Sequence, residues 1–325
     1  MSSPASATAL TSTSGTPSTS APEPDSAPDP VERSASAEPA EPPFPHAFGP
    51  RPDTDPPDLA AYFARIGYDG PRTADAATLA ALVDHHIRAI PFENLDPFLG
   101  REVRLDLASL EAKLVHGGRG GYCFEHNTLL AHVLRQLGYR VSTLGARVLL
   151  GYTEGDPLPA RGHMLLRVET AEGPHLVDVG FGGQSPTAPL RFDRADAQET
   201  THETYRIRPV GEDRQLESHI RGEWTVMYRF GPQEQQPSDY ELANYYLSTH
   251  PASHFVTGLA VARPVEGGRN ALRGGELAFH ESGGETSRRS LSGVQELRAV
   301  LADTFGIDLS GLDADHFARR TAPLF

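Results

Sequence analysis

Only one cysteine occurs in the 325 residues, Cys123, and only one lysine, Lys113, against 28 arginines. A single thiol excludes an intrachain disulfide and every multi-thiolate zinc or iron–sulfur site. The lone lysine follows Ala112 instead of glycine, so the GxxxxGK phosphate loop is absent as well. No apolar run approaches 18 residues, and no membrane partner or spanning segment is expected. Basic residues are the minority: 29 Lys and Arg face 43 Asp and Glu, a formal charge of −14. Such an acidic chain repels phosphate backbones, which argues against a nucleic-acid partner. Cys123 is left as either an inert core residue or a nucleophile.

The first 50 residues have a composition of their own, with 11 Pro, 10 Ser, 5 Thr and 9 Ala, and with Arg33 alone against six acidic residues. Apolar burial there cannot offset the entropy of ordering, so residues 1–54 read as a disordered Pro/Ser/Ala-rich extension. A secretory signal would need a basic start and an apolar stretch, and a transit peptide would be rich in arginine. Neither is present, and a cytoplasmic location is expected. No repeat of 20–50 residues is visible.

From Asp55 onward the period is helical. Leu59, Tyr62, Phe63 and Ile66 follow a start at Asp55-Pro56. A second helix begins after Thr73 and buries Leu79, Leu82, Val83 and Ile87. A third carries Leu107, Leu110 and Leu114, and a fourth runs from Cys123 to Gly138. His85, His86 and His116 fall at helix surfaces or ends on this pattern. Strand patterns follow at Tyr139–Leu150, Gly162–Thr170 and His175–Phe181, then at Thr204–Val210, Leu216–Arg221 and Glu223–Phe230. A helix over Ser238–Leu247, short strands between Thr257 and Ser290, and a helix over Gly293–Phe305 complete the chain. Helices, then strands, then a mixed end predict an α+β protein with two or three subdomains.

Around the thiol, Gly117-Gly118-Arg119-Gly120-Gly121 runs directly into Tyr122-Cys123-Phe124-Glu125-His126-Asn127. A glycine-rich loop opening into a helix sets its first residues beside unpaired N–H groups, which favour an anion such as a thiolate. Arg119 adds a positive charge nearby. A thiol nucleophile also needs a base, and the base an orienting group. Among 14 histidines His163 stands out, because it begins a strand whose hairpin partner ends near Asp178. If Val168 opposes His175, His163 and Asp178 share a sheet face as direct or diagonal neighbours, roughly 5–8 Å apart at Cβ. An aspartate inside Leu176-Val177-Asp178-Val179 needs such a partner if it is buried.

Other motifs are weaker. Gly180-Phe181-Gly182-Gly183 has Ser185 where a dinucleotide fingerprint needs its third glycine. His250 and His254 are four apart, but Pro251 argues against a shared helical face, so no metal ligand set is assigned. Pro91-Phe92-Glu93-Asn94-Leu95 fits either a helix exit or one wall of a pocket.

Taken together, Arg119–Asn127, His163 and Asp178-Val179-Gly180-Phe181-Gly182 resemble the arylamine N-acetyltransferases. Ile90–Leu95 and Asn244–Pro251, with Ser253 and Phe255, extend the resemblance, which covers residues 57–325. It implies a helical first domain (55–138) carrying the nucleophile and a β-barrel second domain (139–236) carrying His and Asp. A smaller α/β lid (237–325) completes the cysteine-protease-like α+β fold. Carried over by position, Cys123 takes the acetyl group from acetyl-CoA, His163 acts as base and Asp178 fixes its tautomer. The counterparts of Phe92, Phe181 and Phe255 line a pocket for a small aromatic amine, and Gly182 and Gly183 lie at the CoA cleft. The activity implied is ping-pong acetyl transfer to arylamines, arylhydrazines or N-hydroxyarylamines, with no metal or prosthetic group. An amide synthase of the same fold, releasing a polyketide onto an aryl amine, and a cysteine hydrolase are the alternatives. With one lysine, the CoA phosphates must rely on arginines or backbone N–H groups.

Overall fold

The computed structural model describes residues 55–153 and 155–325, so the extension at 1–54 lies outside the described residues. Asp58 starts the first helix, α1 (Leu59–Ile66), by accepting a hydrogen bond from the N–H of Ala61 at 3.0 Å. The start therefore lies slightly beyond Asp55-Pro56. Asp75 caps α2 (Ala76–Ala89) in the same way through Thr78. After α2 the chain forms a two-residue strand, β1 (Phe92–Glu93), and two one-turn helices, α3 (Leu95–Phe98) and α4 (Leu107–Leu110). A π-helical turn, Glu111–His116, extends α4 toward the glycine loop. The central helix α5 (Cys123–Gln136) follows, and its residues Leu129, Leu130, Val133 and Leu134 are completely buried.

The strands expected next are present as β2 (Arg140–Val148), β3 (His163–Thr170), β4 (Gly173–Val177), β7 (Thr204–Val210), β8 (Asp213–Ile220) and β9 (Glu223–Glu234), and two unexpected short strands, β5 (Leu190–Arg191) and β6 (Gln198–Glu199), lie between β4 and β7. They form an antiparallel sheet in the order β5-β4-β3-β2-β9-β8-β7-β6. Its two edges are bridged by one side chain. Gln198 accepts from the N–H of Arg191 at 2.6 Å and donates to the Arg191 carbonyl at 3.0 Å, so the sheet is nearly closed as a barrel. The two-residue period sorts the side chains of β3 and β4. Leu165 and Leu176 point into the barrel core with Leu144, Tyr205 and Leu216, whereas Met164, Leu166, Val168 and Val177 pack with the helices.

The C-terminal part begins with α6 (Pro237–Thr249) and α7 (His254–Thr257). Strands β10 (Ala260–Val265), β11 (Gly268–Arg273), β12 (Glu276–Glu281) and β13 (Thr286–Ser290) follow, and β1 completes their sheet by pairing with β10 through Phe92↔Ala262 and Glu93↔Val261. Helix α8 (Val294–Ala299) continues into a π-helical turn, and α9 (Ala314–Thr321) closes a third core with Phe98, Leu301 and Phe305. The architecture is α+β. Among the described residues no helix is long and apolar enough to cross a membrane.

Candidate active site

Cys123 is the first residue of α5, so its side chain sits beside N–H groups that have no acceptor within the helix. The loop before it packs too closely for any side chain. A Cβ on Gly120 would stand 1.9 Å from the Pro91 carbonyl oxygen. The segment after β4 also approaches the helix closely: a Cβ on Gly180 would lie 2.6 Å from the Cys123 Cα and 2.9 Å from Asn127 Nδ2. Glycine at 180 is what allows the segment after Asp178 to press against the start of α5.

Val168 opposes His175, and Leu166 opposes Val177, as expected. His163 shares its sheet face with Leu165, and Asp178 shares that face with Leu176. The two meet: His163 Nε2 lies 2.7 Å from Asp178 Oδ2, with both side chains buried. Nε2 being occupied, Nδ1 is the ring nitrogen left to face Cys123, whose side chain adds to the factors that raise the His163 pKa. The Cys123 thiol in addition donates to the Gly162 carbonyl over 3.8 Å. Burial alone would discharge the imidazole, but the charge and hydrogen bond of Asp178 raise its pKa to about 10. Burial works against the Asp178 carboxylate too, yet His163, the Gly180 N–H and Asn127 hold its pKa below the usual value.

Of the aromatic rings named from the sequence, Phe181 touches this cluster, whereas Phe92 and Phe255 pack against each other. Phe181 packs edge-on against His163 with centroids 5.0 Å apart, and Phe92 lies 6.2 Å from Phe255. Gly182, at φ 81°, faces the Phe92 ring, and Gly183 faces Ala262. Tyr228 lies tilted at 4.9 Å from His163 and edge-on at 5.0 Å from Phe181, so the three rings form one cluster, and its hydroxyl is buried near Asp178.

Two histidine and arginine expectations need correcting. Arg119 does not supply free positive charge to the thiol, because its guanidinium is turned into Glu93 (2.7 Å) and Asp96 (3.3 Å). His86 is not a surface residue but fully buried: Tyr62 Oη lies 2.9 Å from its Nδ1, and its Nε2 lies 2.9 Å from His126 Nδ1. His126 Nε2 in turn reaches the Pro91 carbonyl at 3.1 Å. That carbonyl can only accept, so His126 carries its proton on Nε2 and accepts from His86, which accepts from Tyr62.

Asn127, quoted in the sequence motif but given no role, is central. Its Nδ2 donates to the Met164 carbonyl (2.8 Å) and to Asp178 Oδ1 (3.2 Å), while its Oδ1 accepts from the Val179 N–H. Its position four residues after Cys123, on the same helical face, was the available signal. Asn94 joins the helices to the C-terminal sheet by donating to the carbonyls of Phe255 and Gly258 and accepting from the Ala260 N–H.

The family model described as N-acetyltransferase matches residues 75–314. Arylamine N-acetyltransferase from Mycolicibacterium smegmatis is 46% identical over 268 residues, spanning 82% of this chain and 97% of that protein. The chain belongs to the arylamine N-acetyltransferase family. It is accordingly an acyltransferase. Solved arylamine N-acetyltransferases share the fold across 82% of the chain. The Mycobacterium tuberculosis structure has a TM-score of 0.79 at 43% identity and is covered completely. The Mycobacterium marinum arylamine N-acetyltransferase in complex with CoA has a TM-score of 0.80 at 40% identity and is covered to 99%.

Proposed function

We propose that the protein transfers an acetyl group from acetyl-CoA to an arylamine, arylhydrazine or N-hydroxyarylamine by a ping-pong route through S-acetyl-Cys123. The buried His163–Asp178 pair, in electrostatic contact with a thiol at a helix start, carries this reading. The CoA complex of the similar Mycobacterium marinum enzyme supports the donor. On this reading residues 55–138 supply the nucleophile, 139–236 the histidine and aspartate, and 237–325 a lid. Acetyl-CoA is an intracellular metabolite, which agrees with a cytoplasmic location.

The His163 imidazolium holds the Cys123 sulfur as a thiolate, and that sulfur attacks the thioester carbonyl carbon. The bond from that carbon to the CoA sulfur breaks, and CoA leaves with the proton from His163. In the second half the amine nitrogen attacks the acetyl carbon, His163 accepts the amine proton and the Cys123 sulfur is expelled. Each tetrahedral oxyanion is held by N–H groups of the first turn of α5, including that of Cys123. Asp178 keeps His163 oriented and stabilises its cation. Phe92, Phe181 and Phe255 offer flat apolar surfaces to an aromatic acceptor, and Gly182 and Gly183 leave room for the CoA thiol arm.

Intact-mass measurement tests this directly. Acetyl-CoA without acceptor should add one acetyl group to the wild type and none to Cys123→Ala. A folded wild type that stays unmodified overturns the proposal. Steady acetyl-CoA consumption without any amine would instead identify a hydrolase, and acylation by carrier-bound long chains alone an amide synthase.

A further inference from the structure

A cavity of about 400 Å³ lies along the flank of α5 formed by Thr128, Ala131 and Arg135. None of Cys123, His163, Asp178, Phe92, Phe181 or Phe255 lines it. Its apolar surface comes largely from Leu105, Met164 and Tyr240, and its size suits a small organic molecule. The carboxyl groups of Asp106, Glu234 and Glu241 stand around it, and Arg135 is the one arginine among the lining residues. Arg135 donates to the Val141 carbonyl at 3.2 Å, and its charge also acts on Glu234 and Tyr240, so Glu241 is the carboxyl group there that it does not offset. Asp106 is occupied in capping α4. Among the described residues Glu234 and Glu241 form no side-chain ion pair within 4 Å. Burial and the neighbouring charges of Asp106 and Glu102 push the Glu241 carboxyl above its usual pKa, against only Arg104.

Tyr240 supplies an independent sign of a binding site. It is only 6% exposed, yet its hydroxyl has no hydrogen-bond partner. The adjacent Thr143 hydroxyl donates to the Gln235 carbonyl. A buried hydroxyl left unpaired is costly, and a bound polar group removes that cost.

We propose that this cavity binds an organic ammonium ion, a protonated primary amine on a compact apolar body. The apolar part packs on Leu105, Ala131, Met164 and the Tyr240 ring, and the ammonium lies among Glu234, Glu241 and the Tyr240 hydroxyl. The charge separates this ligand from arylamines, which are neutral near pH 7. The site is independent of the acetyl-transfer reading, since it shares no side chain with it.

The chain has three methionines, Met1, Met164 and Met227, so methyl-13C-methionine labelling gives a nearly isolated reporter. Met164 lines the cavity, whereas Met227 is buried in the barrel core. Titration of the full chain with 2-phenylethylammonium chloride should move the Met164 methyl saturably and leave Met227 in place. The same titration should succeed in Cys123→Ala. Glu241→Gln, a change at a half-buried position, should weaken binding about threefold or more, and Tyr240→Phe should also weaken it. Uncharged 2-phenylethanol should bind at least about threefold more weakly than the ammonium. Absence of a saturable Met164 shift in the folded wild type overturns the proposal. Equal affinity for the alcohol, or unchanged affinity in both variants, overturns it as well.

Discussion

His163 and Asp178 meet beyond the last paired rung of the β3–β4 hairpin, Leu166↔Val177, with Nε2 and Oδ2 2.7 Å apart in a buried setting. The contact raises the His163 pKa to about 10, so the imidazolium persists well above neutrality. Asp178→Asn removes the charge and leaves a side chain of similar shape. Acetylation of Cys123 should fall by about 10³-fold or more, by analogy with orienting aspartates in other triads. The sign on stability is also set. A raised histidine pKa contributes fully below its unfolded value of 6.5 and is lost as pH rises through about 10. Wild type should therefore lose stability toward pH 10, and Asp178→Asn should lose less over that window in denaturant melts.

Gly180 offers a geometric test. Alanine there would put a Cβ 2.6 Å from the Cys123 Cα and 3.1 Å from its carbonyl oxygen, both backbone atoms that cannot rotate away. The segment carrying Asp178 must move off α5. We expect Gly180→Ala to lower the acetylation rate of Cys123 about 10²-fold or more, since small misplacements of reacting groups carry that cost. A stopped-flow measurement on protein confirmed as folded by circular dichroism decides it. An unchanged rate would show that the close approach is not needed.

Much of this site could be read from residue spacing. The 3.6-residue period located α1, α2 and α5, and the index sum of the hairpin placed His163 and Asp178 on one face before any coordinates. His86 was misplaced because a histidine on a helix was read as polar. Its spacing from Leu79, Leu82, Val83 and Ile87 already put it on the buried stripe. The pairing of Phe92 with Ala262 could not be read, since a two-residue strand has no period and its partner is far along the chain. Buried charges were equally hidden: Glu93, Asp96, Lys113 and Glu125 look like surface residues until the fold brings them together.

That buried cluster gives the one lysine a structural role. Lys113 Nζ is 2.6 Å from Asp96 Oδ2 and 2.6 Å from Glu125 Oε1, and Glu125 Oε2 accepts from the Tyr122 N–H at the start of α5. Burial lifts the Glu125 pKa to about 7, with Lys113 opposing the rise and Asp96 adding to it. Lys113→Met should cost about 3 kcal/mol, because the buried Glu125 carboxyl loses its ion-pair partner while Asp96 keeps Arg101 and Arg119. Adding Glu125→Gln should restore part of that loss. Urea melts of the two single variants and the double variant measure the coupling, and strict additivity would contradict it.

The Tyr62–His86–His126 chain makes an opposite prediction for acid. Each neutral histidine donates along the chain from Nε2 and accepts at Nδ1, so a further proton would set two donors facing each other. Burial lowers both pKa values, that of His126 to about 4. A lowered histidine pKa contributes stability that is complete above the unfolded value of 6.5 and is lost as pH falls toward about 4. Across that window the protein should lose on the order of 3 kcal/mol from His126 alone. His126→Gln cannot take up the proton, so its stability should fall less steeply between those pH values. Urea unfolding of both proteins at several pH values measures the slopes, and equal slopes would remove His126 as the source.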